Sequence, residues 1–196
     1  MERYTLVLNN DKSVDQTPEN IIIELIRQDS LRVNALDCVA ELSLPQCYLA
    51  AGFVRNLVWD HLHQKKCATE LSDLDVIYFD PIESNAYAYL EYEARLQAMM
   101  PNVTWQVRNQ ARMHERNHDA PYLSSLDAMH YWPEKETAVA IRKRVDDSYE
   151  CISAFGLESL FNLHVTYNPI RHREIFDHRI KSKGWLIQWP ALVVSL

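Results

Sequence analysis

Asp73 and Asp75 stand one residue apart in SDLDVIYFD, residues 72–80, at the head of a run that reads as a β-strand. Residues i and i+2 of a strand share a face. Both carboxylates therefore point the same way, while Leu74 and Val76 point to the opposite face. Two anions held this close repel, and one is driven towards its neutral form unless a cation relieves them. Magnesium or manganese suits such a pair. Magnesium takes one or two carboxylates, keeps waters, and fills its other positions with substrate phosphate oxygens. The plainer alternative is two solvated aspartates at a wet strand end.

The segment upstream supplies what a phosphate would need. AAGFVRNLVWD runs from an apolar strand through Gly52 directly into a helix. Glycine lets the backbone approach a ligand closely, and a helix N-terminus offers free N–H groups and a positive dipole end. Phe53 follows the glycine, and Arg55 and Asn56 fall on the first turn, within reach of the same anion. Strand, glycine, helix, then a strand bearing D-x-D make a phosphate cradle beside a holder for the metal.

The elements that must position these residues follow from local signals. Thr17-Pro18-Glu19 is a helix start, with a capping hydroxyl, proline at the first helical position and an acid near the positive end. ENIIIELIRQD and SLRVNALDCVAEL read as two consecutive helices, and CYLAAG as a buried strand ending in glycine. FVRNLVWDHLHQK has helical spacing, with Phe53 and Leu57 inward and Val54, Val58 and Leu62 as further candidates. After DLDVIYF comes a helix over roughly 84–99, then VTWQVRN as a strand and NQARMHERNH as a helix stopping before Pro121. TAVAIRKR and SYECISAF form a hairpin around Asp146-Asp147. GLESLFNLHV and HREIFDHRIKSKGWL read as closing helices. Interleaved strands and helices predict an α/β (α+β) fold, a mixed β-sheet flanked by helices. No linker divides the chain, so a single domain over 1–196 is expected. Its parts are N-terminal helices over about 17–42, a core over about 45–165 and a C-terminal helical segment over about 170–196.

On these residues the chain resembles the nucleotidyltransferases of the polymerase-beta superfamily, whose core is a glycine turn opening a helix, followed by paired acids on the next strand. AGFVRN is similar to the G-G-x-V-R-D stretch of the tRNA CCA-adding branch. More closely, the chain looks like a group of stand-alone bacterial nucleotidyltransferase-like proteins without an assigned substrate. AAGFVRNLVWDHLH, LSDLDVIYFD, WQVRNQARMH, PYLSSLDAMHYWPE, TAVAIR and FGLESLF carry that match over most of residues 45–165. The resemblance implies the polymerase-beta-like fold, Gly52 at the nucleotide phosphates, and Asp73 and Asp75 at the metal. It also has departures. Phe53 stands where the superfamily usually has a second glycine or a serine, and the gap from Gly52 to Asp73 is longer than usual. The third carboxylate expected on a neighbouring strand is missing from VTWQVRN, because no acid lies between Glu93 and Glu115. Gln106 or Asn109 is a neutral candidate for that place, and Asp127 is an acid that would have to reach in from elsewhere.

Other constellations compete. Arg108, Arg112 and Arg116 fall four apart, which on a helix makes a basic stripe. It is either a solvated face or, through Arg112 and Arg108, a neutraliser of a triphosphate or phosphorylated acceptor. HERNH, residues 114–118, satisfies the zinc-protease pattern H-E-x-x-H, with His114 and His118 as ligands and Glu115 as base. Against it, Arg116 would put a cation beside the metal, and Pro121 ends the helix nearby. RHREIFDHRIKSK reads as basic surface helix. His61 and His63 diverge on a helix and read as structural. Trp105, Trp132, Trp185 and Trp189 read as packing residues.

Composition narrows the classes further. Hydrophobic content of 47% fits a folded chain, and a formal charge of −7 argues against general duplex-DNA binding. Three glycines cannot spell a P-loop, a G-x-G-x-x-G or a G-x-S-x-G elbow. The four cysteines are widely spaced, as free thiols of a reducing compartment are. Glu2, Asn9, Asn10 and Asp11 do not make a signal peptide. No apolar run reaches the roughly 18 residues of a membrane span, and WLIQWPALVVSL is expected to pack onto the domain. A soluble, cytoplasmic protein follows.

The expected function is metal-dependent transfer of an NMP from a nucleoside triphosphate to an unidentified acceptor. The alternatives are a nucleotide-binding or regulatory module of the same fold without turnover and, third, the zinc hydrolase.

Overall fold

The computed structural model describes residues 17–196; the polar stretch holding Glu2, Asn9, Asn10 and Asp11 lies outside them. Helix α1 (Pro18–Arg27) starts where its cap was legible, with Thr17 Oγ1 accepting from the Asn20 amide at 3.3 Å. Asp29 caps α2 (Ser30–Ala40) through the Arg32 amide. Strand β1 (Tyr48–Ala50) feeds α3 (Gly52–Leu62), and β2 (Leu74–Tyr78) follows after a ten-residue-scale return loop. Helix α4 (Ala88–Met99), β3 (Trp105–Asn109), α5 (Gln110–Asn117) and α6 (Ser125–Met129) come next. A 3₁₀ turn (Lys135–Thr137) leads into the hairpin of β4 (Val139–Lys143) and β5 (Tyr149–Ser153). The chain ends with α7 (Glu158–Phe161), β6 (His164–Thr166), α8 (Arg173–Lys183), α9 (Trp185–Gln188) and β7 (Val193–Ser195).

Five strands form one mixed sheet in the order β3-β2-β1-β4-β5, with β2 and β3 parallel and the other neighbours antiparallel. The period-two alternation of β2 decides the layers. Leu74, Val76 and Tyr78 are fully buried with Leu49, Val139 and Ile141 against α1, α2 and α3. The other face carries Tyr48, Ala50, Ile77 and Ala140, covered from Met129 and Ala138. Asp75 belongs to that second face, where it pairs with Ala50 on one side and Gln106 on the other. Ala50 in turn pairs with Ala140. Two methyl side chains in that row leave shallow ground beside the carboxylate.

Two sequence expectations change here. GLESLFNLHV is not one helix: α7 spans four residues, Leu163 takes a φ of 58°, and His164 begins β6. The C-terminal segment is likewise not all helical, because Val193–Ser195 pairs in parallel with β6. Among the described residues no helix is long and apolar enough to cross a membrane, and all four cysteines are free.

Candidate functional site

The strained residue of the β1–α3 turn is Ala51, at φ 57° and ψ −121°. Those angles mirror the first central position of a type II turn, a place glycine dominates and where a Cβ is strained by about 1–3 kcal/mol. Its position is over-determined: the Ala51 amide donates to the Val139 carbonyl at 2.9 Å, and its own carbonyl accepts from Val54 and Arg55. Gly52 does not need positive φ. A Cβ there would sit 3.4 Å from Asn56 Nδ2 and 3.6 Å from Arg55 Nη2. The bare Cα thus opens onto two polar donors, at the start of a helix that no side chain caps.

Asp73 and Asp75 flank this turn through the register of Asp75 with Ala50. Asp73 precedes β2 and is oriented by two donors, Ser72 Oγ at 2.8 Å and the Gln106 amide. Gln106 lies on the parallel neighbour, directly across from Asp75. Of the two neutral candidates it is therefore the one beside the aspartates. Asn109 instead clamps the Asp80 loop and caps α5 through the Ala111 amide. Asp75 accepts no hydrogen bond among the described residues. Burial, then the charge of Asp73, pushes its carboxyl up to about 6, against the pull of Arg55, Lys183 and Arg179.

Burial and a like-charged neighbour both disfavour the anion there, and a cation between the carboxylates would relieve it. Two hard oxygen donors side by side, one of them without hydrogen-bond donors, fit a magnesium ion that draws its remaining ligands from water and substrate. Among the described residues no three His, Cys, Asp or Glu side chains converge as a metal cage, so the protein's share would be these two.

The other candidates are placed as follows. Phe53 packs its ring in the core, beneath the Arg32 guanidinium, and its carbonyl accepts from Arg32 Nε at 2.9 Å. Arg55 is buried: Nη1 reaches Thr137 Oγ1 at 2.6 Å and Nη2 reaches Asn56 Oδ1 at 3.0 Å. It stacks 4.4 Å from Trp185 and 4.9 Å from Trp59, and its Nε has no partner among the described residues. Burial lowers its pKa to about 10, with Glu134 opposing the shift. Arg108 is tied to Glu93 at 2.7 Å and stacked on Tyr89. Arg112 is tied to Glu83, at the far ends of β2 and β3 from Asp73.

The basic stripe is therefore not one helix face. Asn109 caps α5, so the helix begins at Gln110 and Arg108 remains on β3. HERNH is also broken as a zinc motif, since α5 ends at Asn117 and His118 turns left-handed at φ 58°. His114 and His118 do not share a helix face. Asp127 stays in its own turn, accepting from the Leu123 amide at 2.8 Å.

The basic run read as a surface helix is α8, exposed or half-buried except at Phe176, and the charges of its Arg179 and Lys183 oppose the rise in the Asp75 pKa. Arg179 holds the buried Glu134 with Nε–Oε1 at 2.5 Å and Nη2–Oε2 at 3.2 Å. The only advance signal was the basic run itself; the pairing bridges 45 residues. A cavity of about 700 Å³ lined by Leu36, Val39, Cys47, Arg142 and Lys143 lies towards the other end of the sheet. Its cations are already paired with Glu150, Asp37 and Asp147.

A family model described as nucleotidyltransferase matches residues 37–194. A solved structure described as a CCA-adding enzyme head domain is 33% identical, with a TM-score of 0.78, covering 88% of this chain and 93% of that one. A CCA-adding enzyme solved with CTP is 12% identical, with a TM-score of 0.57, covering 88% of this chain and 43% of its own. A tRNA-processing enzyme in an apo form is 17% identical, with a TM-score of 0.52, covering 92% and 45%. The chain spans less than half of these last two, whose likeness is one of fold. No curated protein matches the chain.

Proposed function

The chain belongs to the nucleotidyltransferase family, and from that premise we propose that it transfers a nucleoside monophosphate from a nucleoside triphosphate to an acceptor. The acceptor's nucleophile attacks the α-phosphorus, the bond from that phosphorus to the α–β bridging oxygen breaks, and pyrophosphate leaves. The observation that carries this reading is the carboxylate pair, Asp73 and Asp75, set beside the uncapped opening of α3. A CCA-adding enzyme of the same fold has been solved with CTP, which supports a nucleoside triphosphate as substrate here.

The residues divide the work. Asp73 and Asp75 would hold magnesium or manganese, which would supply positive charge against the charge developing at the phosphates. Ser72 and Gln106 fix the direction of Asp73. The first-turn amides of α3 and the Asn56 amide donate to phosphate oxygens over the bare Cα of Gly52. Arg55 supplies buried positive charge behind them and holds Asn56.

The test is calorimetric titration of the four ribonucleoside triphosphates, with and without magnesium, into wild type and Asp73→Ala/Asp75→Ala, alongside pyrophosphate release. Metal-dependent binding that the double variant loses is expected. No binding to wild type under any metal condition would sink the reading. A second reading, nucleotide binding without turnover, is favoured by one observation: Gln106, a neutral side chain, occupies the strand position beside the pair. Tight binding with no pyrophosphate released in any acceptor mixture would select it.

A further inference from the structure

Arg55, Arg179 and Lys183 come together where Trp185 of the α8–α9 turn lies over Arg55 at the start of α3, and they differ in what they are free to do. Arg55 is buried and engaged by Thr137, Asn56 and two indoles. Arg179 spends its fork on Glu134. Lys183 is exposed and makes no hydrogen bond or ion pair among the described residues.

The backbone around Lys183 is held at both ends. Positions four apart lie on one helix face, so Lys183 follows Arg179 on the side of α8 that faces Glu134. Phe176, one turn earlier, is fully buried and seats the helix. Immediately after Lys183, Gly184 takes φ 63° and ends α8. That turn lays Trp185 over Arg55 at 4.4 Å and against Trp59 at 5.9 Å. Arg55 is on the first turn of α3, beside Gly52. The Lys183 Cα is thus fixed between an ion pair on one side and the opening of α3 on the other, with an unspent ammonium at the end of a flexible stem.

We propose that Lys183 binds the β- and γ-phosphates of the nucleoside triphosphate, and that α8 is the arm that carries it to the site. The inference rests on the nucleotidyltransferase reading and deepens it. A lysine serves here as a compact, mobile point charge that can follow phosphate oxygens as they separate. When the α–β bond breaks, negative charge grows on the departing pyrophosphate, and a preplaced ammonium stabilises that charge without reorganisation. Arg179 does not touch the substrate; it is a positioning residue, acting through Glu134 on the placement of α8.

The experiment compares wild type, Lys183→Gln and Lys183→Arg, each as the full chain, by calorimetry with magnesium nucleoside triphosphates and with the matching monophosphates. Losing one charge-assisted phosphate contact weakens triphosphate binding roughly 10- to 100-fold. The monophosphate, which has no β- or γ-phosphate, is expected to bind the variants as it binds wild type, and Lys183→Arg to recover part of the loss. Because Lys183 is exposed, the melting temperature is expected to be unchanged. Equal affinity of wild type and Lys183→Gln for triphosphate would overturn the proposal while leaving the nucleotidyltransferase reading intact. So would an equal loss for monophosphate and triphosphate, the signature of a general structural effect. Wild type that binds no triphosphate would overturn both.

Discussion

Asp75→Asn is expected to stabilise the metal-free protein at alkaline pH, the reverse of what deleting a structural carboxylate does. Burial and the charge of Asp73 push the Asp75 carboxyl from 3.8 up to about 6. The folded state therefore holds that proton more tightly than the unfolded chain. Stabilisation from this difference is complete below about pH 4 and is lost as pH rises through about 6. Above that, folding carries a buried anion, at about 1.4 kcal/mol for each tenfold difference in proton affinity. The bound is about 3 kcal/mol, and relaxation around a site open to solvent brings the expectation nearer 2 kcal/mol. Asparagine keeps the shape and removes the charge. At pH 8 in EDTA, urea denaturation should show Asp75→Asn more stable by about 2 kcal/mol, a rise of roughly 4–8 °C in Tm for a chain of this size. The gap should narrow as pH falls below 6 and be mostly gone near pH 4. Millimolar magnesium or manganese should close it at pH 8 by stabilising wild type alone. If Asp75→Asn is the less stable protein at pH 8 without metal, the charge of Asp75 is already compensated by Arg55, Lys183 and Arg179, and the case for a missing cation collapses.

Two further outcomes probe the turn and the neighbouring strand. Ala51→Gly removes strain at φ 57°, ψ −121° and should gain about 1 kcal/mol net of the lost methyl burial; a loss in chemical denaturation would mean the turn is not strained. Gln106→Glu replaces the donor to Asp73 with a third carboxylate, so metal-free stability should fall by about 1–2 kcal/mol. Manganese affinity by calorimetry should tighten several-fold, and unchanged or weaker affinity would show that position 106 does not face the ligand space.

Local chemistry made much of this architecture legible. Thr17-Pro18-Glu19 opens α1 as its capping pattern demands, and the alternation in DLDVIYF sorted Asp75 from Leu74 and Val76 onto opposite faces. What failed were readings that turned on a single residue's conformation. The stripe of arginines required Arg108 to be helical, and the cap made by Asn109 one residue later prevented it. HERNH required His118 to continue α5, and it became the left-handed stop instead. Gly52 was read as a place of close backbone approach, and nothing in the sequence marked its neighbour Ala51 as the residue of positive φ, held there by the Val139 and Arg55 hydrogen bonds. The α8 cations were invisible for a different reason. Nothing near Arg179 in sequence says that Glu134 waits for it, since ion pairing across 45 residues is fixed by tertiary packing and leaves no local periodicity.

The order in which the chain is laid down gives the α8 arm a temporal meaning. Among the described residues the five strands of the main sheet lie between Tyr48 and Ser153, so the platform bearing both aspartates is encoded before residues 173–189 are reached. During N-to-C synthesis, a chain stopped short of α8 would expose Trp59, which Trp185 and Trp189 cover in the finished fold. It would also leave Glu134 without Arg179 and Asp75 without the nearby charges of Arg179 and Lys183. Docking of α8 and α9 seals an apolar surface and brings Arg179 and Lys183 towards Asp75 in one event. Long-range closures of this kind form late in folding, which makes competence of the site a report on whether the whole chain has folded.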